Sequence, residues 1–98
     1  MSHKVNLAIQ ILPMHMNKEQ AYSAIDAAIA KIEASGLKYV VCPFETVIEG
    51  TYEEVIKLVD DMQDAAYDNG AESLIVNMKL HRSKSGDMYI DDKIGKYR

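Results

Sequence analysis

One short stretch, Cys42-Pro43-Phe44-Glu45-Thr46-Val47-Ile48-Glu49-Gly50-Thr51, sets the terms for the whole chain. Pro43 lacks a backbone donor and disfavours a helical Cys42, so a preceding strand ends there. Thr46, Val47 and Ile48 are β-branched and favour a pleated backbone. Gly50 is expected to break that strand. Thr51 with Glu54 three positions on forms a capping box that opens a helix. A strand thus runs almost directly into a helix. Glu45 and Glu49 stand at even spacing, which on a continuous strand puts both carboxylates on one face of a sheet.

The rest of the chain fits around this unit. Val5, Leu7, Ile9 and Ile11 alternate with Asn6, Ala8, Gln10 and Leu12, a period of two that predicts a first strand closed by Pro13. Met14-His15-Met16 reads as a loop. Asn17 and Gln20 form a second capping box. Ala21, Ile25, Ala28, Ile29 and Ile32 then recur at helical spacing until Gly36 ends the helix as a left-handed cap. Leu37 to Cys42 predict the second strand. The second helix spans about Tyr52 to Asp68 and carries Val55, Leu58, Val59, Met62 and Ala66 on one stripe, with Asn69-Gly70 as its stop. Leu74, Val76, Met78 and Leu80 alternate with Ser73, Ile75, Asn77 and Lys79, giving a two-faced fourth strand.

The order is β-α-β-β-α-β, the split βαβ pattern of a ferredoxin-like α+β sandwich, with two helices on one face of an antiparallel sheet. Residues 1–98 are expected to form a single domain, with 83–98 as a C-terminal tail. Ser85-Gly86-Asp87 marks a turn in that tail, and Met88, Tyr89, Ile90, Ile94 and Tyr97 are its scattered apolar residues. A fifth strand, a partner-binding arm and partial disorder are all compatible with such a sequence. The face opposite the helices is expected to carry Asn6, Ala8 and Gln10 beside Ser73, Ile75, Asn77 and Lys79. So mixed a face on so small a domain suits a wet contact between subunits or a polar ligand site.

Charge and composition exclude several functions. The formal charge is -4, with acids and bases interspersed, which argues against nucleic acid as a partner. No apolar run is long enough for a membrane span or a signal peptide. Cys42 is the only cysteine, so no internal disulfide forms, and this usage fits a cytoplasmic protein. His3, His15 and His81 lack metal-site spacing. Cys42 reads as a buried strand cysteine rather than a nucleophile, and the methionines as core fillers. The glycines are scattered at element ends and make no phosphate loop. No acid/base pair with a nucleophile stands out, so no catalytic or cofactor site is assigned.

Ser35-Gly36-Leu37-Lys38-Tyr39, then Pro43 and Thr46-Val47-Ile48-Glu49-Gly50, then Gly70-Ala71-Glu72, resemble the thiamine-binding protein family over about Val5 to Arg82. The resemblance implies a homo-oligomer, a dimer or tetramer, that binds thiamine or its hydroxymethylpyrimidine moiety without catalysis. An aminopyrimidine offers an amine donor and ring-nitrogen acceptors. Carboxylates such as Glu49 and Glu45 can accept from the amine, and Gln10 and Asn77 can donate and accept at once. Thr46 adds a hydroxyl. Tyr22, Phe44, Tyr52 and Tyr67 are the rings available for stacking or for facing a cationic thiazolium. The rival reading is an oligomeric structural or regulatory module that assembles through its sheet face and takes no vitamin. A small enzyme with Glu49 as general base ranks below both.

Overall fold

The computed structural model of the chain describes residues 3–98. Its elements are β1 (Lys4–Pro13), α1 (Lys18–Ser35), β2 (Lys38–Val41), β3 (Thr46–Thr51), α2 (Tyr52–Asp68), β4 (Leu74–His81) and a short α3 (Ile90–Ile94), followed by a 3-10 turn, Gly95–Tyr97. The four strands form one antiparallel sheet in the order β2-β3-β1-β4. This is the ferredoxin-like α+β arrangement, with β2 and β4 at the edges.

Both helices begin as their sequences dictate. Asn17 and Gln20 cap α1 reciprocally, and Thr51 and Glu54 do the same for α2. Gly36, at φ 76°, ends α1 in the left-handed conformation that glycine adopts without strain. The alternation along β1 sends Val5, Leu7, Ile9 and Ile11 into the helix-covered side. There they meet Ala28 and Ile32 of α1, Ile48 of β3, and Val55, Leu58, Val59 and Met62 of α2. Leu7, Ile32, Ile48, Val5 and Val55 are fully buried, and each such side chain stabilises the fold by about 1.5–3 kcal/mol.

Several boundaries differ from the sequence expectation. The second strand is Lys38–Val41, so Cys42 is a half-buried loop residue rather than a buried strand cysteine. Gly50 does not break β3, which continues through it to Thr51 and pairs Gly50 with Val5. The reason is packing: a Cβ at Gly50 would lie 3.1 Å from Leu37 Cδ1, so the missing side chain makes room for Leu37 rather than interrupting the strand. Glu45 lies outside β3, in the bend between β2 and β3, where its carbonyl accepts the Cys42 N–H at 2.9 Å. The even spacing of Glu45 and Glu49 therefore does not put them on one sheet face.

The tail is neither a fifth strand nor an arm extended from the body of the chain. It turns back over one end of the sheet's open face. The Lys4 N–H donates to Asp87 Oδ1 at 2.6 Å, and the Met88 N–H donates to the Lys4 carbonyl at 2.9 Å. Ile90 then inserts and is 3 % exposed.

Candidate functional site

The register brings Lys38, Glu49, Asn6 and His81 into one rung across all four strands, on the open face. The tail binds this rung. Glu49, 7 % exposed, accepts the Ile90 N–H on Oε1 at 2.6 Å. Asn6 donates to the Met88 carbonyl at 3.0 Å and accepts from Lys93 Nζ at 2.7 Å. Lys38 Nζ pairs with Asp91 at 2.6 Å, an exposed bridge that raises the lysine's pKa above its ordinary value. Two rungs away, Asn77 Nδ2 donates to Gln10 Oε1 at 3.3 Å across β4 and β1. Glu49 and Asn77 are thus engaged within the chain, and both lie on the open face.

Thr46 is on the other side of the sheet. It pairs with Ile9 on the helix-covered face and is 6 % exposed. It lines a cavity of about 400 Å³ between the first end of β3, the middle turns of α1 and the loop 42–45. The cavity collects Tyr22 and Asp26 from α1, Phe44 and Glu45 from the loop, and the chain at Gln10. Ile25 and Ile29, read from the sequence as core stripe, are only half-buried because they form its apolar wall.

The Thr46 hydroxyl makes no hydrogen bond among the described residues. No side-chain nitrogen or oxygen sealed from solvent lacks a partner there either, so this hydroxyl opens onto the cavity. A hydroxyl that opens onto a cavity without a protein partner is left for water or a ligand to complete. At the mouth, Phe44 is 82 % exposed, the most exposed of the large apolar side chains described. Of the other rings, Lys18 Nζ lies 5.7 Å from the centroid of Tyr22, and Arg82 stacks on Tyr52 at 4.1 Å.

Of the residues singled out in the sequence, the cavity brings together Thr46, Glu45 and the Gln10 backbone with Tyr22 and Phe44. It leaves Glu49 and Asn77 on the far face. Asp26 was missed. Its signal was the four-residue spacing from Tyr22, which sets the carboxylate and the ring on one side of α1. A second cleft, of about 590 Å³, lies beside His15, Gln20 and Glu72 and contains none of the expected site residues. Among the described residues no three His, Cys, Asp or Glu side chains gather as a metal-binding group, and no helix is long and apolar enough to cross a membrane.

Comparison with known proteins agrees with this architecture. A UPF0045 protein of Clostridium perfringens is 34 % identical over 93 residues, 95 % of this chain and 96 % of the relative. A domain of unknown function from Bacillus cereus superposes with a TM-score of 0.90 at 34 % identity, covering 100 % of this chain and 93 % of that one. A Thermotoga maritima protein, provisionally assigned to thiamine biosynthesis or salvage, superposes with a TM-score of 0.86 at 29 % identity, covering 97 % and 99 %. The profile of the thiamine-binding protein family matches residues 7–98, so the likeness runs on through the tail, beyond Arg82. By that match, and by the near end-to-end likeness to its relative from Clostridium, the chain belongs to the thiamine-binding protein family.

Proposed function

We propose that the chain binds thiamine or its hydroxymethylpyrimidine moiety, without catalysing a reaction on it, in the cavity at Thr46. The observation that carries this reading is the Thr46 hydroxyl, unpartnered among the described residues and open to a cavity walled by Ile25 and Ile29. Its volume falls within the range of small-molecule sites. A pyrimidine ring fits between that wall and the hydroxyl, which can donate to a ring nitrogen or accept from the exocyclic amine. Glu45 and Asp26 supply carboxylate acceptors nearer the mouth. Membership of the family, and the role assigned to the relative from Thermotoga, support the choice of ligand. Glu49 then belongs to the protein's own architecture: it holds the tail.

The working unit in this reading is a cytoplasmic homo-oligomer. Leu12 and Ile75 are exposed side by side on the open sheet face, beyond the reach of the tail, and the outer edge of β4 is unpaired. Such a surface favours a second copy. Sedimentation at micromolar concentration is expected to give a species heavier than the 11.0 kDa chain. Calorimetry with thiamine and with hydroxymethylpyrimidine, on the parent protein and on Thr46→Val, tests the site. Binding to the parent that weakens in Thr46→Val supports it, and equal affinity in both removes Thr46 from it.

A further inference from the structure

We propose that the second cleft, beside the loop between β1 and α1, is a site for a soft monovalent metal ion, copper(I). The thioether sulfurs of Met14 and Met16 and the imidazole of His15 would hold it. The cleft shares no lining residue with the cavity at Thr46, so the inference stands apart from the vitamin reading.

The three residues are consecutive between Pro13 and Asn17, and all three line the cleft. Both ends of this loop are pinned. The Met14 N–H donates to the Ser73 carbonyl at 2.9 Å, which ties the loop to the residue before β4. Asn17 is locked into the α1 capping box with Gln20. Between the pins His15 takes φ 58°, and it is the one non-glycine residue with a positive φ among those described. That conformation is costly for a residue with a side chain and persists only where the surroundings hold it. An extended chain would send His15 to the side opposite both methionines. The left-handed bend departs from that alternation, and the three residues border one cleft.

Met16 forms the floor. It packs against Ala24, Ala66 and Ala71, and its Cε lies 3.7 Å from where a Cβ on Gly70 would be. Gly70 itself lines the cleft. The thioether end thus reaches the cleft with an apolar bed behind it. Met14 is half-buried and His15 exposed, so the donors run from floor to mouth.

The donor set decides the metal. Thioether sulfur is a soft ligand that selects copper(I), and imidazole suits copper as well. A zinc site needs a closed set of thiolate, imidazole or carboxylate ligands. Among the described residues that line the cleft, His15 and Glu72 are the only such groups. Calcium takes six or more oxygens and magnesium needs a near-ideal octahedron of them, whereas Glu72 is the single carboxylate here. The histidines make no site with one another; the flanking thioethers make one of His15.

Titration of the reduced full chain with copper(I) under argon, against the chromophoric chelator bicinchoninate, tests the site. The chain is expected to withdraw a single equivalent. Met14→Leu, Met16→Leu and His15→Gln should each weaken capture by at least about tenfold, the loss that removing even a supporting partner of a metal ligand brings. Leucine is close to methionine in volume, so the packing around Ala24 is kept. Should Met16→Leu disturb the fold, the exposed His15→Gln and the half-buried Met14→Leu carry the same test. Cys42→Ser, which removes the chain's one thiol, should retain the copper. X-ray absorption of the complex should show sulfur and nitrogen neighbours together. Any of three results overturns the copper site: no copper taken from the chelator, capture abolished in Cys42→Ser, or capture unchanged in the methionine and histidine variants. Zinc(II) bound as tightly as copper(I), lost in His15→Gln and kept in both leucine variants, would overturn it too, since the thioethers would then hold nothing.

Discussion

The Glu49 carboxylate accepts the backbone N–H of Ile90, forty-one residues further along, at 2.6 Å. Both residues are buried. Ile90 opens α3, whose preceding residue, Tyr89, makes no side-chain cap. Glu49 therefore does from a neighbouring strand what a capping side chain does locally: it meets an N–H that the helix leaves unpaired.

Replacing Glu49 by alanine leaves that N–H without its acceptor in a buried place. We expect a loss of about 1–3 kcal/mol in urea unfolding, with faster amide exchange at Ile90. Thiamine affinity is expected to stay within about threefold of the parent, since the cavity lies across the sheet. A collapse of affinity with the tail still docked would return Glu49 to the ligand site.

Thr46→Val should weaken binding while leaving stability nearly unchanged. The substitution keeps the shape and removes a hydroxyl that opens onto the cavity with no protein partner among the described residues, so the free protein should change by less than about 0.5 kcal/mol. Thiamine binding should weaken by about 1 kcal/mol, roughly fivefold, for the loss of one hydrogen bond. Thermal unfolding with and without ligand reads both effects on one sample.

Gly50→Ala tests whether the strand needs space rather than flexibility. The added Cβ would come within 3.1 Å of Leu37 Cδ1 and 3.3 Å of Glu54 Oε1, the atom that accepts the Thr51 N–H in the α2 capping box. Overpacking of this kind should destabilise the fold by about 1–2 kcal/mol. If the variant is as stable as the parent, Leu37 yields freely and the packing argument fails.

The tail's attachment should depend on pH at both extremes. The Lys4 N–H, the Tyr89 hydroxyl and the nearby charges of His3 and Lys4 hold Asp87 below its ordinary pKa of 3.8. A depressed carboxylate contributes stability above its unfolded value and loses it as pH falls through the folded one. Lys38 is raised above its ordinary 10.5, chiefly by its hydrogen bond to Asp91, and contributes below that value. Its share is lost as pH rises through the folded pKa. Amide exchange at Ile90, corrected for its intrinsic pH dependence, should show constant protection between these limits and loosening beyond each. Uniform protection below pH 3.8 would separate Asp87 from the attachment.

Strand and helix order were legible because the signals are local. Alternation along Val5–Ile11 and the two capping boxes need only near neighbours in sequence, and they place β1, α1 and α2 correctly. Which of the candidate residues share one face or one cavity was not legible. Thr46 and Glu49 sit three apart on one strand, so an odd spacing sends them to opposite faces. Glu45 escaped the even-spacing argument because the strand begins one residue after it. The tail gave no periodic signal, since its place is fixed by single polar contacts to Lys4, Asn6, Lys38 and Glu49, residues distant from it in sequence. Asp26 looked like any solvated helix residue until the loop at Phe44 was brought beside it.

The central position of β1 shapes how the chain acquires its structure. β1 is made before the other strands, yet its two neighbours are β3 and β4. Until Leu74–His81 emerges, β1 keeps one unpaired edge on a growing chain, bordered by Leu7, Ile9 and Ile11. Pairings so distant in sequence close large loops and form slowly. A nascent chain halted after α2 would offer that apolar edge to any neighbouring strand, so the interval before β4 arrives is when this protein is most exposed to misassembly.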